Sequence, residues 1–285
     1  MSFGLPISRD ESQLTYGGYL KVRELTSLQQ LLSDPPQHDE TLFIIIHQAY
    51  ELWFKQLLHE IDAIIGRLDA DQPLAAHRLI RRCIEIERLL VNQVAVLETM
   101  MPMDFLAFRD HLMPASGFQS SQFREVEFVS GLKEAGYLKA HNPDSAEYAR
   151  MKSRMDQPSL GDAFYSLLRR RGFDLPPSED LTAEGRDPAH ERRISELIRI
   201  HRDAEQHYDL FLLAESLIEY DEVFSLWRLR HVKMVERMIG TKTGTGGSEG
   251  VAYLRKTVDR QFFPELWELR NYLSNKSGAG CPVAG

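Results

Sequence analysis

Two histidine-bearing segments, at residues 43–56 and 227–250, both have the periodicity of an α-helix. The first reads FIIIHQAYELWFKQ and contains His47, and the second contains His231. In the second segment apolar residues recur at steps of three or four and form one stripe around the histidine: Phe224, Trp227, His231, Met234, Val235 and Met238. Helical spacing dominates the chain, and no alternating run is paired with hairpin turns, so the sequence predicts an all-α fold.

The stripe around His231 has cations beside it, namely Arg228, Arg230, Lys233 and Arg237. An imidazole in an apolar wall with cations nearby suits a flat, apolar, doubly anionic iron macrocycle, which needs one axial nitrogen and partners for its carboxylates. By periodicity alone, however, a histidine on an apolar helix face is more often an ordinary packed residue. The pattern leaves both interpretations open.

Composition limits the classes of function. The chain has 285 residues, 43% of them hydrophobic, which is enough for one domain with its own core. Its 34 basic and 42 acidic residues give a net charge of −8, which disfavours a nucleic-acid partner. No apolar run is long enough for a membrane span or a secretion signal, so we expect a soluble, cytoplasmic protein. The two cysteines, Cys83 and Cys281, offer neither a disulfide framework nor covalent haem attachment.

Start and stop signals divide the chain into helices. We predict a long helix over about 40–68 capped by Asp39, and a second from Pro73 to about 100 that folds back on the first as an antiparallel hairpin. Shorter helices are expected near 103–112, 120–133, 144–155 and 159–171. Two long ones follow, over 191–239 with a break near 203, and over 249–273. The charged segment 174–190 is expected to be a surface excursion, and 274–285 a disordered tail.

Four motifs in this chain resemble those of the tryptophan 2,3-dioxygenase family, in the same order. They are LTYGGYLKVRELTSLQQLL at 14–32, the segment at 43–56, PMDFLAFRDHLMPASGFQSSQFREVEF at 102–128, and WRLRHVKMVERMIGTKTGTGGSEG at 227–250. The resemblance covers most of the chain and is weak only at 174–190 and in the last dozen residues. It implies one helical domain around a pocket for haem b. With ferrous iron, such an enzyme inserts both atoms of O₂ across the indole C2–C3 bond of L-tryptophan and yields N-formyl-L-kynurenine, the first step of tryptophan degradation.

The resemblance also implies roles for the two histidines. His231 would be the axial ligand of the haem iron. His47 would lie on the opposite side of the haem and hydrogen-bond the indole N–H of the substrate, a role that does not require a strong base. Phe43 would pack against the indole ring, and the residues between them would belong to the same substrate-binding segment: Ile44, Ile45 and Ile46.

Three further polar positions receive roles only through this resemblance. Arg109 would hold the substrate carboxylate with its planar guanidinium, whereas its spacing alone equally fits a surface ion pair. Many family members have a tyrosine four residues before this arginine, but this chain has Phe105, so one substrate hydrogen bond is missing. Ser116, otherwise a turn or N-cap residue, would lie near the haem. Thr245, in the glycine-rich loop at 240–250, would approach the substrate ammonium group when that loop closes as a lid.

The N-terminal segment 1–38 is expected to be an arm that reaches a neighbouring subunit, with residues 39–273 forming the catalytic domain and 274–285 the tail. In the family this arm brings Tyr16, Tyr19 and Leu20 to the pocket of another chain. The resemblance therefore implies a homotetramer built as a dimer of dimers.

Other functions would require different sequence motifs or fewer of the residues named above. A di-iron bundle would need Glu-x-x-His on two helices, and a zinc protease would need HExxH; the sequence contains neither. A haem-binding sensor or carrier would keep His231 without needing Arg109, His47 and Thr245. A plain helical interaction protein would bind no haem at all.

Overall fold

The computed structural model describes residues 14–177, 188–242 and 250–274, and within these ranges the chain is all-α. The helices of the described ranges are α1 (Tyr16–Leu20), α2 (Val22–Leu25), α3 (His38–Asp69), α4 (Pro73–Leu97), α5 (Pro102–Arg109), α6 (Ser121–Ser130), α7 (Ala146–Asp156), α8 (Leu160–Arg170), α9 (Pro188–Arg202), α10 (Tyr208–Ile239), α11 (Val251–Arg255) and α12 (Pro264–Glu268). Short 3₁₀ turns lie at Asp110–Leu112, Gly117–Gln119, Ala135–Ala140 and Leu269–Tyr272.

Helices α3, α4 and α10 form the centre of the molecule. The short connection at 70–72 folds α4 back against α3, as the sequence predicts, and α10 packs against α4. Helices α6 and α8 pack on α3, and α7 packs on α6. The break near 203 is also confirmed, because α9 ends at Arg202 and α10 begins at Tyr208.

The main core lies between one half of each long helix. Its fully buried side chains recur at helical spacing, so each helix presents a continuous apolar face to its neighbours. They include Leu57, Ile61, Ile64, Ile80, Ile84, Leu213 and Leu217. A smaller apolar cluster lies at the opposite end of the same helices and is formed by Ile46, Val94, Leu97, Met100, Phe108, Met234 and Met238.

Two boundary predictions are wrong. Helix α3 begins at His38 with Gln37 at the N-cap and no side-chain cap, so Asp39 lies in the first turn instead of capping it. The single helix expected over 249–273 is divided into α11 and α12. Its interruption has a physical cause, since Pro264 cannot continue a preceding helix and the Asp221 carboxylate accepts hydrogen bonds from the main-chain N–H groups of Phe262 and Phe263.

Within the described ranges, no single helix has both the length and the apolar composition needed to cross a membrane. One strongly bent pair, Pro73–Leu97 with Pro102–Leu112, meets these two criteria only when its members are taken together. The buried face of α4 belongs to the protein core.

Candidate active site

A cavity of about 320 Å³ lies between the small apolar cluster and the turn that precedes α6. Most of its wall is apolar, and the polar groups on it come from α3, α5, α6, α10, α11, the turn and Thr257. The residues predicted for the site that line this cavity are Phe43, His47, Phe105, Arg109, Ser116 and His231. The fold therefore brings residues from three distant segments of the sequence to one cavity.

His231 lies on α10 with its imidazole stacked on the indole of Trp227, at a ring-centroid distance of 5.2 Å and an interplanar angle of 8°. Burial, with a smaller contribution from the charge of His47, lowers the pKa of His231 to about 4. The ring is therefore neutral at pH 7. Within the described ranges neither ring nitrogen takes part in a hydrogen bond, so both are available to a ligand or a further partner.

His47 lies on α3, where its Nδ1 is 2.7 Å from the main-chain oxygen of Phe43, one turn earlier. This distance assigns the proton to Nδ1, which donates to the carbonyl, and leaves Nε2 as an acceptor. Burial by surrounding protein atoms lowers the pKa of the ring although it is accessible from the cavity, and the hydrogen bond with Phe43 and the charge of Glu51 oppose this effect only in part. His47 is thus a neutral hydrogen-bond acceptor on the cavity wall.

Aromatic rings and a guanidinium form the wall contributed by α5. Phe105 and Arg109 are four residues apart and so share one face of this helix. The ring of Phe105 lies 5.7 Å from that of Phe43 and 5.4 Å from that of Phe108, which it meets edge-on at 89°. Phe43 and Phe105 line the cavity together with Arg109, and the fully buried Phe108 packs against both rings.

Ser116 is the N-cap of the 3₁₀ turn Gly117–Gln119. Its hydroxyl accepts a hydrogen bond from the N–H of Phe118 at 3.3 Å, and its own N–H donates to Oε1 of Gln119 at 3.2 Å. This reciprocal pair fixes the turn locally. Ser116 therefore has a capping role and lines the cavity at the same time.

Sequence reasoning missed a buried charge cluster on the cavity wall. The Glu127 carboxylate accepts hydrogen bonds from Nη1 of Arg124 at 2.6 Å and from Nη2 of Arg228 at 2.9 Å. All three side chains are buried and line the cavity, and the Nε atom of each arginine has no hydrogen-bond partner within the described ranges. Rings of Phe118, Phe123 and Tyr137 also surround the Arg124 guanidinium.

Of the four cations beside the His231 stripe, Arg228 alone lines the cavity. Arg230 pairs with Glu98, and Lys233 lies 3.4 Å from Glu236. These two side chains and Arg237 are on exposed faces of α10. Only part of this basic run is directed toward the cavity, because a helix can present only some of its successive residues to one neighbour.

Several other predicted site residues lie elsewhere. Ile44, Ile45 and Ile46 do not line the cavity, and Ile46 is buried in the small apolar cluster. The side chains of Tyr16, Tyr19 and Leu20 are exposed, the first two by 79% and 71%, and are not on the cavity of their own chain. Thr245 and the rest of 243–249 lie outside the described residues, as do 178–187 and most of the expected tail.

Comparison with known proteins identifies the family. Residues 6–174 and 182–273 match the family model described as Tryptophan 2,3-dioxygenase, and these ranges contain every residue that lines the cavity. This chain belongs to the tryptophan 2,3-dioxygenase family. It is 48% identical over 267 residues to the tryptophan 2,3-dioxygenase of a Nocardioides species, covering 92% of this chain and 96% of the relative.

Two further relatives with the same name extend the comparison. The protein from Herpetosiphon aurantiacus is 48% identical, covering 90% of this chain and 97% of the relative. The protein from Myxococcus xanthus is 44% identical, covering 91% and 90% respectively. Because nearly the full length of each tryptophan 2,3-dioxygenase is matched, the likeness includes the helices of the cavity and those of the main core.

Proposed function

We propose that this chain is a haem-dependent dioxygenase that converts L-tryptophan and O₂ into N-formyl-L-kynurenine, the first step of tryptophan degradation. The observation that carries the proposal is the pairing of two neutral histidines, His231 and His47, on one largely apolar cavity in a member of this family. A cytoplasmic location fits such a catabolic enzyme.

The residues on the cavity wall fit haem b. His231 supplies a neutral imidazole as axial ligand, and Trp227 supports its ring. Arg124 and Arg228 present buried guanidinium groups whose unpartnered Nε atoms suit a carboxylate of the macrocycle. When bound in the ferrous form, the haem supplies the activation of O₂. The apolar wall keeps competing water away from it.

The opposite wall fits tryptophan. The Nε2 atom of His47 is the acceptor that an indole N–H requires, since Nδ1 already donates to Phe43. Phe43 and Phe105 provide flat surfaces for the indole ring, and Arg109 provides a planar pair of donors for the carboxylate. Ser116 closes this wall. Thr245 is proposed to approach the ammonium group from the loop outside the described residues.

We further propose that the active unit is a homotetramer, a dimer of dimers, in which segment 1–38 of one chain completes the pocket of another. The support within this chain is the exposed apolar surface of α1, where Tyr16, Tyr19 and Leu20 lie away from the cavity described above. Residues 39–273 would form the catalytic domain. An arm that contributes to the pocket in trans would make each active site a shared one.

The haem assignment can be tested with one pair of variants. We expect His231→Ala to fold, by circular dichroism, but to retain little haem, whereas His47→Ala should retain haem and turn over slowly, because one substrate hydrogen bond contributes about 1–2 kcal/mol. Haem content and N-formylkynurenine absorbance are the measurements. The reverse pattern would reverse the axial assignment, and haem binding by the unchanged protein without any product would favour a sensor or carrier.

The shared site can be tested by complementation. One variant lacks residues 1–22 and the other carries His231→Ala, and each alone should be nearly inactive. In mixed oligomers an intact arm from the second chain can meet an intact haem pocket in the first, so activity should return. Verified mixed oligomers that stayed inactive would show that the arm serves its own subunit or folding alone.

A further inference from the structure

Glu51 lies one helical turn after His47 on α3, and its side chain lines the cavity. Both oxygens of its carboxylate accept hydrogen bonds. Oε1 accepts a hydrogen bond from the Ser120 hydroxyl at 2.6 Å, and Oε2 accepts one from Nε2 of Gln122 at 2.7 Å. The same Gln122 amide also donates to the main-chain oxygen of Glu51 at 3.0 Å. Three hydrogen bonds therefore join this point of α3 to the start of α6.

Ser120 and Gln122 lie where the turn that begins at Ser116 leads into α6. Ser120 ends the turn that begins at Ser116, and its hydroxyl accepts from the N–H of Phe123 at 3.2 Å, which makes it the N-cap of α6. The Ser120 hydroxyl thus caps α6 while donating to Glu51. Any movement of Glu51 would be transmitted to both the turn carrying Ser116 and the helix carrying Arg124.

We propose that Glu51 is a positioning residue, which holds the turn 116–120 against the helix that carries His47 and so sets the width of the pocket for the indole ring. This inference rests on the proposed function, because it concerns the walls between which the substrate would lie. Hydrogen bonds to a charged acceptor are stronger than those between neutral groups. The two oxygens of a carboxylate can also accept from two donors at once, here Ser120 and Gln122.

Substitution can separate the hydrogen bonds from the charge. In Glu51→Gln the amide oxygen can still accept from Gln122, and the new NH₂ group can donate to the Ser120 hydroxyl, which also accepts. Glu51→Gln therefore keeps the link and removes the charge, whereas Glu51→Ala removes the charge and both side-chain hydrogen bonds and leaves only the one from Gln122 to the main-chain oxygen. If positioning is the role, only the alanine variant should impair substrate binding.

Glu60 provides a matched control on the same helix. It is buried, accepts from Nε2 of Gln56 at 2.6 Å and from Nη1 of Arg82 at 2.7 Å, and does not line the cavity. Glu60→Ala should lower the melting temperature without changing tryptophan affinity. This control shows how far the loss of a hydrogen-bonded carboxylate on α3 lowers stability when the cavity is not involved.

The test uses the haem-loaded protein and measures haem content, melting temperature, turnover and the Kd of L-tryptophan from the shift of the haem absorption band. We expect Glu51→Ala to raise the Kd about tenfold at unchanged haem content. Glu51→Gln should stay within about twofold of the unchanged protein, because it preserves the contacts. An unchanged Kd in Glu51→Ala, or an equal loss in Glu51→Gln, would overturn the positioning role.

A double-variant cycle with Gln122 excludes a direct contact as the explanation. Gln122 is bonded to Glu51 but does not line the cavity. If Glu51 acts through this link, the effect of Glu51→Ala on Kd should shrink in a Gln122→Ala background, whereas purely additive effects would overturn the proposal. Failure of the proposed function is a separate outcome, because the unchanged protein would then make no N-formylkynurenine from L-tryptophan.

Discussion

The two ends of the three long helices α3, α4 and α10 differ sharply, although the same helices build both. At one end, side chains such as Leu57, Ile84 and Leu217 are fully buried and packed on one another. At the other end, His47 and His231 border a cavity. Close packing at the first end stabilises the fold. The second end is packed less closely, because a cavity lies between its side chains.

Buried polar groups occur at both ends, but those at one end border the cavity. At the packed end the Asp221 side chain accepts three hydrogen bonds through Oδ2, from the main chain of Phe262 and Phe263 and from the indole of Trp267. At the cavity, the buried Nε atoms of Arg124 and Arg228 have no partner within the described ranges. Within the same ranges, unpartnered buried atoms also occur at the packed end, at Oδ1 of Asp221 and both carboxylate oxygens of Glu87, so it is the adjoining cavity that distinguishes Arg124 and Arg228 as partners for a ligand.

The largest expected difference between the two ends is in stability. Leu57 is 0% exposed in the main core, so we expect Leu57→Ala to lower the free energy of unfolding by about 2–5 kcal/mol. Leu97 is 7% exposed but borders the cavity, so Leu97→Ala should cost only about 1–2 kcal/mol, because fewer packed atoms surround it. Urea denaturation of both haem-free variants measures the difference. Equal losses would mean that the cavity end is packed as tightly as the core.

The second prediction concerns substrate affinity at the cavity end. Removing the guanidinium in Arg109→Leu should weaken L-tryptophan binding by about 2–5 kcal/mol, since the substrate carboxylate would lose its charged partner. Haem content should not change. Indole ligands without a carboxylate serve as the control and should bind as before. If both ligand classes lose affinity equally, Arg109 has a structural role and the comparison of the two ends must be redrawn.

Sequence periodicity predicts the helices of the packed end well. The apolar repeats locate α3, α4 and α10, and Gly and Pro signals locate the shorter helices to within a few residues. It fails over 249–273, where the deciding contacts come from Asp221 on α10. The Asp221 side chain, about forty residues earlier in the sequence, accepts hydrogen bonds from the main chain of this segment. A pattern read from neighbouring residues alone does not contain this contact.

The site was predictable in a different way. The placement of His47, Phe105 and Arg109 on one cavity follows from the family resemblance, not from their spacing. The sequence does not distinguish Glu127 and Arg124 as site residues, because an Arg and a Glu three residues apart on a helix usually form an exposed pair. This pair differs from an exposed one because it is buried, and Arg228 on α10 hydrogen-bonds the same carboxylate.

A smaller effect is expected at Phe105, where a tyrosine would add one hydroxyl to the cavity wall. We expect Phe105→Tyr to tighten L-tryptophan binding by up to about 1 kcal/mol, the contribution of one added hydrogen bond. The unfolding midpoint should move little, because the ring already lines the cavity beside Phe43. Titration of the haem band with tryptophan provides the measurement. Unchanged or weaker binding would show that another group already fills this role.

The smallest effect is expected from His190, which lies at the packed end and links α9 to α12. Its Nδ1 is 3.2 Å from Glu265, and its Nε2 is 2.9 Å from Glu268. Burial lowers the pKa of His190, but the hydrogen bonds and charges of Glu268 and Glu265 outweigh it, so that the pKa is raised above its ordinary value. A raised pKa means that the folded protein holds this proton more tightly than the unfolded chain does.

The contribution of His190 to stability should therefore be complete below pH of about 6.5, the ordinary histidine pKa, and be lost as the pH rises through the higher pKa of the folded state. Because the side chain is 33% exposed, solvent screening limits it to about 0.5 kcal/mol. Urea denaturation of His190→Gln should show this deficit at pH 5.5 and little deficit at pH 9, with the Kd of L-tryptophan unchanged. A change in that Kd would show that the two ends of the molecule are coupled, which their separate packing does not predict.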